Sequence, residues 1–216
     1  MRKLMAIAKN GINGKFSGKV GSVIGYQLGG QNVIRTVGER RKPFTPLELL
    51  NQAKMKVVSE FLSQIKPWIK LGFAKAAPAG SRVGAFQMAQ SHARKHAVMV
   101  NDEGQPYIDP AKVLVSKGPC RPARNCSVVR EEKKLIFRWD YRAKEEGADD
   151  RLMVLLYEEE LGYFREFLEI GAPRSAQMDV WEVGTLPRLE RPTHVYVTFK
   201  NMLFGEVSDS VYCGTV

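Results

Sequence analysis

The segment Gly14-Lys15-Phe16-Ser17-Gly18-Lys19-Val20 brings glycines, lysines and a hydroxyl together as phosphate-gripping loops do. A nucleotide P-loop needs four residues between its glycines and a Ser or Thr after the lysine to reach magnesium. Here three residues separate Gly14 from Gly18, and Val20 follows Lys19. The spacing excludes that chemistry, and no G-x-G-x-x-G occurs in the chain. The glycines are left with tight turns and close backbone approach.

Other reactive side chains are equally unassembled. His92 and His96 stand four apart, a spacing that serves a metal once a third ligand arrives, but Arg94 and Lys95 between them repel a cation. The segment reads as a solvated basic helix. Cys120 and Cys126 lie in the Pro-rich basic stretch K-G-P-C-R-P-A-R-N-C, with no histidine placed to activate either. The odd cysteine set, without C-x-x-C, points to reduced thiols, although a Cys120–Cys126 bridge is compatible with the spacing. Cys213 reads as a packing residue at the end of the last strand. The acidic runs 158–160 and 149–150 read as solvated turn edges. No G-x-S-x-G elbow occurs. The expectation is a non-enzymatic chain without cofactor or metal.

Charge says more. The formal net charge is +10, and it is unevenly held. Residues 1–100 carry 17 Lys and Arg against three acids, whereas residues 101–216 carry 16 against 20. Lys15, Lys19, Arg35, Arg40, Arg41 and Lys42 precede the first predicted helix and are candidate polyanion contacts. No helix-turn-helix, zinc-finger or RNP-type motif accompanies them, so any nucleic-acid binding is expected to be non-specific. The competing reading is that basic residues solvate strands and helices. The apolar run 4–8 is too short for a signal peptide, and no run approaches a membrane span. A soluble, cytoplasmic chain without a membrane partner is expected, its partner being protein, either itself or another.

These residues need elements to position them. Seven of the 19 glycines fall between Gly11 and Gly30. Residues 19–28 alternate with period two, Gly29-Gly30 follows, and N-V-I-R-T-V resumes, which predicts a β-hairpin. A two-residue loop pairs Tyr26 with Val33 and Gly25 with Ile34. One face then holds Ile24, Tyr26, Leu28, Val33 and Val37. The other holds Gly21, Gly25, Val23 and Ile34, bare enough for another backbone to approach.

Thr45-Pro46-Leu47-Glu48 is a capping box that starts a helix running to Pro67. A second long helix is predicted over 82–99, and I-D-P-A-K-V-L-V-S-K-G as a turn and short strand. Beyond the linker, short strands recur at 127–129, 134–139, 151–157, 163–170, 177–183, 194–199 and 207–212, with turn signals between them. The predicted organisation is a basic module over 1–118, a linker over 119–126 and a β module over 127–216.

The stretch N-G-I-N-G-K-F-S-G-K-V-G-S-V-I-G-Y-Q-L-G-G-Q-N-V-I-R resembles the opening of a family of uncharacterised bacterial proteins, a domain of unknown function. The T-P-L-E-L-L-N-Q-A-K helix, the I-D-P-A-K-V-L-V-S-K-G turn and the closing S-D-S-V-Y-C-G continue it. Gly14, Gly18, Gly21 and Gly25 are its signature. The family implies no activity, cofactor or site. R-R-K-P-F after the hairpin departs from its pattern. Separately, L-I-F-R-W-D-Y resembles the second strand of fibronectin type III domains, with Trp139 as core tryptophan. T-H-V-Y-V-T-F-K-N and G-E-V-S-D-S-V-Y resemble that fold's last two strands.

The fold class expected is α+β: an N-terminal β-hairpin with two long helices, and a seven-stranded antiparallel, fibronectin III-like β-sandwich. The function expected is interaction or assembly. The alternative is a nucleic-acid-associated protein acting through the basic residues of 1–100.

Overall fold

The computed structural model describes residues 7–9, 14–28, 30–39, 42–78, 80–142, 147–158, 163–168, 170–182 and 192–216. The chain is α+β and divides into two compact units, 1–45 and 46–216.

The first unit is an antiparallel meander of four strands in sequential order, β1 (Ile7–Lys9), β2 (Lys15–Val20), β3 (Val23–Leu28) and β4 (Gln31–Thr36). The expected pairings Tyr26↔Val33 and Gly25↔Ile34 are present. The run 19–28 is not one strand, however. Gly21 takes a left-handed φ of 58° and, with Ser22, turns the chain back so that Val20 pairs with Val23. Turns of this hand match strand twist and favour glycine. The added turn also changes faces. Gly21 leaves the glycine face for the turn, Val20 joins Val23 and Gly25, and Lys19 lines up with Ile24 and Arg35.

The second unit opens on helix α1 (Pro46–Gln64), where proline at the first position presets the helical φ. Its buried stripe is Val58, Phe61 and Leu62. The helix breaks at Ile65 because Pro67 can supply no N–H, and α2 (Lys66–Gly72) follows it. Helix α3 (Ala85–His96) is shorter than predicted. Val98–Val100 leaves it to form β5, paired with β6 (Pro106–Ile108). Gly104 supplies the positive φ of 78° that the connecting turn needs. The stretch after it holds one 3-10 turn, Pro110–Lys112, with extended chain but no strand beyond.

The remaining strands are β7 (Arg124–Glu131), β8 (Lys134–Asp140), β9 (Arg151–Glu158), β10 (Tyr163–Leu168), β11 (Met178–Glu182), β12 (His194–Lys200) and β13 (Val211–Thr215). They form a four-stranded sheet ordered β10-β9-β12-β13 and a three-stranded sheet ordered β11-β8-β7. The last strand starts later than predicted, at Val211. Val207 instead makes an isolated bridge to Lys200, and Ser208 one to Cys120. Residue 183, predicted to end a strand, lies outside the described residues.

Strands β9 and β12 are buried on both faces. Leu152, Val154, Leu156, Val195, Val197 and Phe199 pack with Leu135, Phe137 and Trp139 of β8. Met153, Leu155, Tyr157 and Tyr196 point the other way, into a core built by the helices. Phe61 meets Tyr157 with ring centroids 4.7 Å apart, and Tyr157 Oη donates to Gln64 Oε1 at 3.0 Å. Each such fully buried side chain contributes about 1.5–3 kcal/mol. This shared core displaces the predicted boundary at 119–126: the helices and the later strands belong to one compact unit. The sequence trace of it is the unbroken apolar run L-M-V-L-L-Y, which marks a strand covered on both sides.

Candidate interaction surface

Register sorts the N-terminal sheet's side chains onto two unlike faces. Lys19, Ile24 and Arg35 stand abreast, with Tyr26, Val33 and Leu28 on the same face. The opposite face carries Gly18, Val20, Val23, Gly25, Gln27, Asn32, Ile34 and Thr36, without a charge among them. Gln27 Nε2 donates to Asn32 Oδ1 across this face at 3.1 Å. Gly18 pairs directly with Gly25, so neither residue of that pair carries a Cβ, and Gly25 is itself buried. Apolar side chains are exposed on both sides: Leu28 is 57% exposed on one, Val20 and Ile34 55% and 62% on the other. Among the described residues this unit has no helix and no second sheet to cover them.

The candidate polyanion contacts are only partly brought together. Lys19 and Arg35 are exposed in one row. Lys15 sits in β2, paired with Lys9 in register. Lys42 is exposed ahead of α1, and Arg40 and Arg41 lie outside the described residues. Gly14 precedes β2. Trp139 is buried, edge-on to Phe199, and its Nε1 donates to Arg174 O at 2.7 Å.

Two clusters in the second unit gave no signal by spacing. The first surrounds Arg174, which is buried together with Asp150. Its guanidinium lies over the Phe199 ring at 3.9 Å and donates to Asp150 Oδ2 at 3.4 Å and Arg121 O at 2.6 Å. Asn201 Nδ2 donates to the other Asp150 oxygen at 3.0 Å. Asp150, Asn201, Glu206 and Cys120 border a cavity of about 280 Å³. Burial, and then the Asp150 charge, push the Cys120 thiol above its usual range. A thiol so raised is a poor nucleophile.

The second cluster is a seam between 113–120 and 207–210. Ser116 Oγ donates to Ser208 O at 2.9 Å and lies 2.6 Å from Thr198 Oγ1. Val115 N–H donates to Ser210 Oγ and Gly118 N–H to Asp209 Oδ1. Two motifs that carried the family resemblance, V-L-V-S-K-G and S-D-S-V-Y-C-G, therefore lock onto each other.

His92 and His96 stack loosely on α3, with ring centroids 4.5 Å apart. Burial first, then the charges of His96 and Lys117, hold His92 below its usual pKa of 6.5. Cys126 lies next to Cys213 rather than Cys120, and all three cysteines are free thiols. Among the described residues no group of three His, Cys, Asp or Glu side chains is placed to hold a metal ion. No described helix is long and apolar enough to cross a membrane.

No curated protein matches the chain. A family profile described as a family of unknown function (DUF6266) matches residues 15–214, from the second strand to the last, in agreement with the resemblance read from the sequence. The protein is therefore a member of the DUF6266 family.

Proposed function

We propose that this chain is a non-enzymatic assembly protein that associates through its N-terminal sheet, first of all with further copies of itself. One observation carries the reading: Leu28, Val20 and Ile34 are exposed on the two faces of a single-layered sheet. A small sheet that leaves large apolar side chains exposed gains stability when a partner covers them.

The same reading takes the C-terminal strands as a fibronectin type III-like sandwich. Its support is the strand partition, with β7, β8 and β11 as one layer and β10, β9, β12 and β13 as the other, and Trp139 in the second strand. Sandwich folds serve many roles, so the architecture adds a scaffold and no activity.

The test is size-exclusion chromatography with light scattering across a concentration series. The full chain is expected as an oligomer, and Ile34→Lys as a smaller species with an unchanged circular dichroism spectrum. A chain that stays monomeric at every concentration overturns the reading.

A second reading rests on Lys19 and Arg35 sharing a face with Tyr26: this face contacts the phosphates of nucleic acid without reading sequence. Binding to generic DNA should then fall steeply between about 50 and about 200 mM salt, and K19Q/R35Q should flatten that slope. Equal binding at both salt concentrations overturns it.

A further inference from the structure

We infer that Cys126 and Cys213 are a disulfide-forming pair that staples the two C-terminal sheets together at one edge. The two residues come from different sheets. Cys126 belongs to β7, the end strand of the three-stranded sheet, and Cys213 to β13, the end strand of the four-stranded one. These end strands pack against each other. Both cysteines rest on the core that lies between the sheets, beside Val128 and Val211.

The local backbone aims them. Asn125 takes a left-handed φ of 46°, and the β7–β8 register slips between Arg124 and Ser127. On the other strand Gly214 takes a φ of 95°, and the β12–β13 register slips between His194 and Tyr196. Each cysteine thus adjoins an irregularity of the kind that redirects a side chain. The outcome is that the two thiols come from strands packed on each other and lie against the same core. The neighbouring Cys213 thiol, followed by burial, pushes the Cys126 thiol up, and both cysteines are free thiols.

The reaction is thiol–disulfide exchange with a low-molecular-weight disulfide. Cys213 loses its proton and attacks a sulfur of the oxidant, releasing one small thiolate and leaving a mixed disulfide. The second cysteine then loses its proton and displaces the second small thiolate. Two protein thiols are oxidised, one small disulfide is reduced to two thiols, and one S–S bond joins the sheets. Cys120 takes no part. It lies beside Asp150 and Asn201, bridged to Ser208.

The experiment incubates the full chain in graded ratios of oxidised to reduced glutathione and maps peptides without reduction. The expected result is a Cys126–Cys213 cross-linked peptide, with Cys120 recovered as a thiol. The bridge closes a loop of about 90 residues, so Tm should rise by about 5–15 °C and fall back on reduction. C126S should give the mixed glutathione disulfide at Cys213 and no bridge. Wild-type mapping needs no variant to fold. Cys126 and Cys213 recovered as free thiols at the most oxidising ratio, or a bridge to Cys120, overturns the inference.

Discussion

Ser116 and Ser210 hold each other through reciprocal bonds although 94 positions separate them. Ser210 N–H donates to Ser116 O at 3.1 Å, and Ser116 N–H reaches back toward Ser210 Oγ at 3.4 Å. The same hydroxyl accepts the Val115 N–H at 2.9 Å. Ser210→Ala removes the acceptor and leaves a half-buried amide unpaired. A loss of about 1–3 kcal/mol is expected in urea unfolding, with an unchanged m-value. Ser210→Thr, which keeps the hydroxyl, should recover most of it.

Two glycines separate close packing from backbone conformation. A Cβ on Gly118 would overlap the Val207 carbonyl, which the seam holds in place. Gly104 has open space around it but a φ of 78°. Gly118→Ala should therefore cost about 3 kcal/mol or more, and Gly104→Ala about 1–2 kcal/mol. Thermal melts of the two variants test the ranking; equal shifts would mean that the seam opens without cost.

Arg174→Met is expected to be the most damaging of these substitutions. It strips Asp150 of its cation and the Arg121 and Pro122 carbonyls of their donor. Removing one partner of a buried pair costs about 3–5 kcal/mol. Methionine keeps apolar contact with Phe199, so a drop of that size reports the uncompensated Asp150 charge. The double variant R174M/D150N should regain part of the loss, and a double-mutant cycle measures how much.

His92 makes stability depend on pH. Its folded pKa is depressed by burial and by the charges of His96, Lys117 and Lys95, partly offset by Asp209. The unfolded chain therefore takes up this proton first as pH falls. Stability from His92 is complete above its unfolded pKa of 6.5 and declines below it. Urea midpoints between about pH 7.5 and about pH 5.5 should fall more for wild type than for His92→Gln. Parallel profiles would remove His92 as the cause.

The hairpin register was legible in the sequence because period-two alternation and Gly29-Gly30 leave one pairing open. The extra turn at Gly21 was not legible. A glycine in a strand and a glycine in a two-residue loop look alike when β-branched residues lie on either side of the turn, as Val20 and Val23 do here. Helix α1 showed itself through Pro46 and its apolar stripe, whereas α3 was overextended because Val98-Met99-Val100 fits either period. Arg174, Ser116 and Ser210 carried no local pattern at all. Their partners lie between 24 and 95 positions away, and only the fold supplies such neighbours.

The double burial of β9 and β12 governs how this protein can be divided. A fragment cut at residue 127 would present Met153, Leu155, Tyr157 and Tyr196 to water as one apolar plate. The strands are therefore not a portable cassette that could be lifted into another chain. Whatever lineage carries them must also carry the helices that roof them.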